Sequence, residues 1–143
     1  MTVRMLLIVV LLTVAPAVHV AGGYGDFRGV QVHHCYDGDT CTVTIPGVHP
    51  VIGDRIAIRL RGLDSPEMRG RCEAESRQAR AARDYLQALL KRASRIDLLA
   101  VERGKYFRLV ATLMADGVDV AQALILRGLA RPYSGGRRLS WCR

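Results

Sequence analysis

The chain has 143 residues and carries 21 Lys and Arg against 13 Asp and Glu, a formal charge of +8. That length supports one core and does not comfortably hold two, while the charge raises the local concentration of polyanions, with nucleic acid or an anionic surface as the expected partner. Charge does not separate a protein that holds such a partner from one that cuts it.

Residues 1–21 begin Met1-Thr2-Val3-Arg4, run through an uncharged apolar stretch over 5–14 and reach Ala15-Pro16-Ala17. A positive start, an apolar centre of about ten residues and a small-x-small step read as a secretory signal peptide, and the stretch is short for a spanning helix of roughly 20 residues. Cleavage after Ala17 or after Ala21 stays open, and an uncleaved anchor is the competing reading. Loss of the leader removes only Arg4 and leaves +7. The mature chain is expected to be exported, periplasmic or extracellular, with no membrane attachment.

Residues 22–29 contain four glycines and read as a flexible entry to a single domain over 30–143. A mixed segment over 30–36 and a β-branched one over 41–45 flank Asp37-Gly38-Asp39, the chemistry of a hairpin turn. Cys35, Cys41, Cys72 and Cys142 all follow the leader, and an even number in an exported chain suggests disulfides. A three-residue loop sets Cys35 opposite Cys41, which leaves Cys72 with Cys142, a pair that pins the C-terminal tail to the start of a helix. No CxxC spacing points to zinc.

Pro46-Gly47 ends the second strand, and Pro50 with Gly53-Asp54 marks a turn. The next strand spans 55–63, with Ile56, Ile58 and Leu60 on one face and Ala57, Arg59 and Arg61 on the other, so Arg59 stays off the core. It runs into the corner Asp64-Ser65-Pro66-Glu67. A basic loop over 68–71 leads to a helix over 72–92, whose apolar stripe is Ala79, Ala82, Leu86, Leu89 and Leu90. Its acids Glu73 and Glu75 and its bases Lys91 and Arg92 suit the helix dipole, and Arg77, Arg80 and Arg83 read as a solvated face. A fourth strand over 96–101, a turn at Arg103-Gly104, a fifth strand over 106–114 and a tight turn at Asp116-Gly117 follow. The last helix starts at the N-cap Asp119 and stops at Gly128. The fold class is therefore α+β, mainly β: a five-stranded OB-fold barrel with two to three flanking helices.

Asp37, Asp39, Asp64 and Glu67 come from two separate turns, and gathered acids repel unless a proton or cation holds them. A hard divalent ion such as Ca²⁺ takes carboxylate, carbonyl and water oxygens, which two turns of this kind offer. Arg59 and Arg108, on separate β-like runs, offer paired donors suited to phosphate oxygens. Acids, metal and arginines together describe phosphodiester cleavage, with Glu67 taking the proton of, or orienting, an attacking water. A structural ion-pair network is the competing reading. His33, His34 and His49 read as ordinary surface or strand residues. Tyr106, Tyr133 and Trp141 either stack bases or close the apolar rim, with packing preferred for Trp141.

From about Val32 to Tyr133 the chain resembles the staphylococcal nuclease (thermonuclease) family. The likeness rests on Asp37-Gly38-Asp39-Thr40, then Arg59-Leu60-Arg61-Gly62-Leu63-Asp64-Ser65-Pro66-Glu67, then Lys105-Tyr106-Phe107-Arg108, then Gly128-Leu129-Ala130, in that order. The resemblance implies an OB-fold endonuclease that cleaves DNA and RNA with one Ca²⁺ ion, Mg²⁺ or Mn²⁺ ranking below it. It implies that Asp39, Asp64 and the backbone carbonyl of Ser65 bind the metal, with Asp37 behind them, and that Arg59, Glu67 and Arg108 are catalytic. Lys105 and Tyr106 match residues that hold a terminal phosphate of the substrate, and Tyr133 lies near the family's base-stacking tyrosines. The chain departs from the family pattern at Gly104, where an acid is usual, and at Phe107, where glycine is usual, which puts the aim of Arg108 in question. The rival reading is a non-catalytic basic OB-fold module that holds single-stranded nucleic acid. A third is an envelope component that uses Ca²⁺ for rigidity, which leaves the arginines unexplained. No stable protein partner is implied, and the chain reads as a monomer.

Overall fold

The computed structural model describes residues 23–142, so the signal-peptide reading of 1–21 lies outside the described residues. The elements run β1 (Gln31–Cys35), β2 (Thr40–Thr44), α1 (Pro50–Gly53), β3 (Ile56–Leu60), β4 (Leu63–Asp64), α2 (Glu73–Arg92), β5 (Ile96–Arg103), β6 (Leu109–Ala115), β7 (Val118–Asp119), α3 (Val120–Leu126) and β8 (Arg131–Pro132). The main sheet has the order β1-β2-β3-β6-β5, with β7 paired to β6 and a separate pair β4-β8. It curls into a half-barrel with three helices, an α+β arrangement of OB type. All main-sheet pairs are antiparallel except β3 with β6, which is parallel. A parallel pair needs a long crossover, and the segment containing α2 and β5 supplies it.

Alternation decides what faces inward. Ile56, Ile58 and Leu60 of β3 are buried and join Val43, Leu98 and Leu113 in the core, roofed by Leu86 of α2 and Leu124 of α3. Arg59, one residue out of phase, leaves this core. Cys35 faces Cys41 across the hairpin and is bonded to it, and Cys72, just before α2, is bonded to Cys142.

Four local readings change. Residues 24–29 are docked rather than loose: Tyr24 donates to the Val101 carbonyl at 2.7 Å, and Phe27 and Leu98 exchange two backbone bonds of 2.8 Å. The strand over 55–63 stops at Leu60, because Gly62 takes a φ of 84° and turns the chain into β4. Residues 50–53 form one helical turn, capped where the His49 imidazole accepts from the Val51 N–H at 3.2 Å. The strand expected over 106–114 starts at Leu109, since Tyr106 and Phe107 both have φ 57° in a tight loop. That loop is closed by Gly104 donating to the Arg108 carbonyl at 2.8 Å. A Cβ on Gly104 would lie 2.9 Å from Val110 Cγ2, so the loop closes only over a residue without a side chain.

Candidate active site

The hairpin loop and the corner after β4 meet because Gly38 is bare. A Cβ there would stand 2.8 Å from the Ala82 Cβ of α2 and 2.9 Å from the Ser65 Cβ. Asp37 folds back on its own turn, its Oδ1 accepting from the N–H groups of Asp39 at 3.0 Å and Thr40 at 2.8 Å. Asp39 joins the two turns. Its Oδ2 receives the Ser65 hydroxyl at 3.0 Å and the Ser65 N–H at 3.3 Å, while its Oδ1 receives the Thr40 hydroxyl at 2.9 Å.

Arg59 reaches the same oxygen. Its Nη1 lies 2.8 Å from Asp39 Oδ2, and both side chains are nearly enclosed. The guanidinium also donates to the carbonyls of Leu60 at 3.3 Å and Leu63 at 3.0 Å, which fixes its direction. Losing one member of a pair buried this deeply strands the other charge, at a cost of about 3–5 kcal/mol. Burial, the neighbouring charge of Asp39 and that of Glu67 push the Asp37 carboxyl up to about 7. The two turns therefore form a pocket where negative charge is already under pressure.

Asp64 is buried beside them and both its oxygens face the C-terminal tail. Oδ2 accepts from Trp141 Nε1–H at 3.2 Å. Oδ1 lies 3.0 Å from Arg138 Nε, close enough for charge attraction, yet it has no aligned hydrogen bond. Arg138 also donates from Nη1 to Glu67 Oε1, so one guanidinium spans both acids. The backbone at this corner is held from below by Glu75, whose buried carboxylate accepts from the N–H groups of Arg71 at 2.8 Å and Glu67 at 3.4 Å. Glu75 thus does more than suit the dipole of α2. A Cβ on Gly70 would lie 2.7 Å from the Glu75 Cβ, so the loop must be bare to wrap it.

The second arginine is held differently. Arg108 precedes β6, whose Leu109 is in register with Ile58 of β3. Its Cζ lies 5.7 Å from the centre of the Tyr106 ring, and its Nε is buried without a partner. No ion pair joins it to the acids among the described residues. Lys105, Tyr106 and Phe107 are exposed on the loop before it. Tyr133 donates its hydroxyl to the Gly136 carbonyl at 2.8 Å, with its ring 5.8 Å from Arg138 Cζ. Asp37, Asp39, Arg59, Asp64, Ser65 and Glu67 are therefore gathered, while Arg108, Lys105 and Tyr106 stand on a separate loop.

Arg138 and Trp141 are the residues that sequence reasoning missed. Trp141, expected to pack, bonds Asp64 and carries the Arg131 guanidinium 3.7 Å over its ring. The available signal was Cys142, since pairing it with Cys72 draws the preceding residues over the Asp64 corner. Among the described residues the one cluster of three possible ligand atoms within 4.8 Å is Cys72, Glu75 and Cys142, whose sulfurs are already bonded to each other.

A half-barrel of OB topology with buried acids and a paired arginine at its edge defines an OB-fold protein whose site is built to manage charge. The chain belongs to the staphylococcal nuclease homologue family, whose model matches residues 57–138. That span takes in Arg59, Asp64, Glu67, Arg108 and Arg138 and begins after the hairpin that carries Asp37 and Asp39. No curated protein matches the chain. Membership makes this a nuclease-like, nucleic-acid-binding type of protein, and its two disulfides are compatible with an exported one.

Proposed function

We propose that this protein is an exported endonuclease that hydrolyses phosphodiester bonds of DNA and RNA by water attack on phosphorus, with one divalent cation, Ca²⁺ before Mg²⁺ or Mn²⁺. The observation that carries the reading is the convergence of Asp37, Asp39, Asp64 and Glu67 with Arg59 on one corner of a family-matched OB fold. The donors fit a hard cation: Asp64 has a buried oxygen with no hydrogen bond, and Asp39 is tied to Ser65 across the turn. Asp39, Asp64 and the Ser65 carbonyl would hold the ion, with Asp37 behind them, and the bound ion would supply positive charge to the phosphoryl oxygens.

The remaining steps belong to the chain's own groups. Glu67 accepts the proton of the attacking water, or orients it, from a half-exposed position at the mouth of the site. Arg59, already aimed by two backbone carbonyls, and Arg108, with an unpaired buried Nε–H, donate to the non-bridging oxygens as charge builds on phosphorus. Departure of the 5′ oxygen completes the cleavage. Lys105 and Tyr106 hold a terminal phosphate of the substrate, and Tyr133 offers a ring to a base.

The test incubates the purified protein with single- and double-stranded DNA and RNA in Ca²⁺, Mg²⁺ or chelator. Cleavage with Ca²⁺ and none in chelator is expected, and Glu67→Gln should lower turnover by about 10²–10⁴-fold with DNA affinity nearly unchanged. Binding without cleavage under every ion would identify a non-catalytic single-strand-binding module instead. Full activity in excess chelator would remove the metal.

A further inference from the structure

We propose that Arg138 is a further functional residue of this site: a tethered counter-ion for Asp64 and Glu67 that a divalent cation must displace, so that the tail sets the site's affinity for metal. The proposal rests on the reading of Asp64 as a metal ligand, and its own ground is the tail. Arg138 meets Asp64 through Nε at 3.0 Å and Glu67 through Nη1, while Trp141 takes the other Asp64 oxygen at 3.2 Å. Both oxygens of one candidate ligand and one oxygen of the candidate base are therefore covered by the same short segment. With this segment in place a cation meets Asp64 only in competition with Arg138 and Trp141.

The cover is built to stay near the site and still move. Its far end is bonded at Cys142 to Cys72. Arg131 adds a second anchor, stacking on Trp141 at 3.7 Å and donating to the Ser140 carbonyl at 3.1 Å. A tether of this kind makes the contact intramolecular and raises the effective concentration of Arg138 without strengthening any single bond. The near end starts at Gly135 and Gly136, with φ of 111° and 89°, a backbone conformation open to glycine. Between these points Arg138 keeps 41% of its side-chain surface in solvent, and its approach to Asp64 lacks hydrogen-bond alignment. A cleft of roughly 190 Å³ between Asp64, Ser65 and Glu67 on one side and Arg138, Ser140 and Trp141 on the other leaves room beside it.

Electrostatics agree with this geometry. Arg138 stands within contact distance of two carboxylates at once, Asp64 and Glu67. A candidate metal ligand and the candidate base thus already share one cation. If the cover is closed nine-tenths of the time, the apparent Kd for metal is about tenfold weaker than the open site's.

The experiment titrates Ca²⁺ alone, without nucleic acid, into the disulfide-bonded protein by calorimetry and by emission from Trp141, the single tryptophan. Arg138→Gln should tighten Ca²⁺ binding about tenfold. Arg138→Lys should bind like the wild type, and Cys72→Ser/Cys142→Ser, checked for fold by circular dichroism, should fall between. Wild-type emission should change in step with Ca²⁺ binding and not with added NaCl of equal ionic strength. Equal or weaker Ca²⁺ affinity in Arg138→Gln overturns the proposal, and if its KM for an oligonucleotide rises as well, Arg138 is a substrate contact. Asp39→Asn separates the two levels: it should weaken Ca²⁺ binding whatever Arg138 does. A wild type and Arg138→Gln that both ignore Ca²⁺ overturn the metal assignment and this proposal together.

Discussion

Arg59, on strand β3, and Arg108, on the loop before the adjoining β6, are positioned by opposite means. Arg59 sits inside β3, where strand parity turns it from the core and Asp39, Leu60 and Leu63 hold it from three directions. Arg108 ends a loop whose preceding two residues have positive φ, and its buried Nε has no partner. Strand geometry pre-aims one guanidinium at a structural cost already met by its partners, whereas the loop leaves the other with a donor to give. An unsatisfied buried donor costs about 1–3 kcal/mol, and an anionic ligand is the natural group to recover it.

The largest effect expected from breaking this contrast is at Arg59. Arg59→Ala leaves Asp39 buried and unpaired, so the urea midpoint should drop by the equivalent of about 3–5 kcal/mol while cleavage is lost. Next comes the acid turn that Arg59 supports. Asp37 is pushed up to about 7 from 3.8, so the folded chain holds that proton more tightly than the unfolded one. Stability from this group is greatest at low pH, falls as pH rises through that window, and stays lost above it. In chelated protein, Asp37→Asn should therefore be more stable than the wild type at pH 8, with the gap closing toward pH 4. A gap that is constant with pH would show that Asp37 is ionised like an ordinary surface acid.

Arg108→Ala is the counterpart. Cleavage should fall about 10²–10³-fold, as when a donor to a developing charge is removed, but stability should hold or rise, because the unpartnered buried donor goes with the side chain. Similar urea midpoints for Arg59→Ala and Arg108→Ala would erase the distinction between the two walls.

The same contrast explains what could be read before the fold was seen. The β-rich OB class and the outward Arg59 are legible in the sequence because alternation and turn residues are local signals, written within a few positions of the groups they place. Residues 106–108 lie outside the strand although Tyr and Phe favour sheets. The closure of Gly104 onto Arg108 overrides that preference. Helix α1 has only four residues, too few for a helical period to show. Arg138 and Trp141 act on residues 71 and 77 positions away in sequence, a relation brought about by the Cys72–Cys142 bond and by the pairing of β4 with β8.

The smallest expected effect falls on the loop itself. Phe107 is 65% exposed and has φ 57°, so its ring contributes little burial while its backbone occupies a region that favours glycine. Phe107→Gly should relieve that conformation and raise stability by about 1 kcal/mol, less whatever is lost from Arg103, whose Cζ lies 5.0 Å from the ring centre. Glycine also widens the choices of the unfolded chain, which works against the gain. A measured destabilisation would mean that the Arg103 contact and chain entropy outweigh the strain.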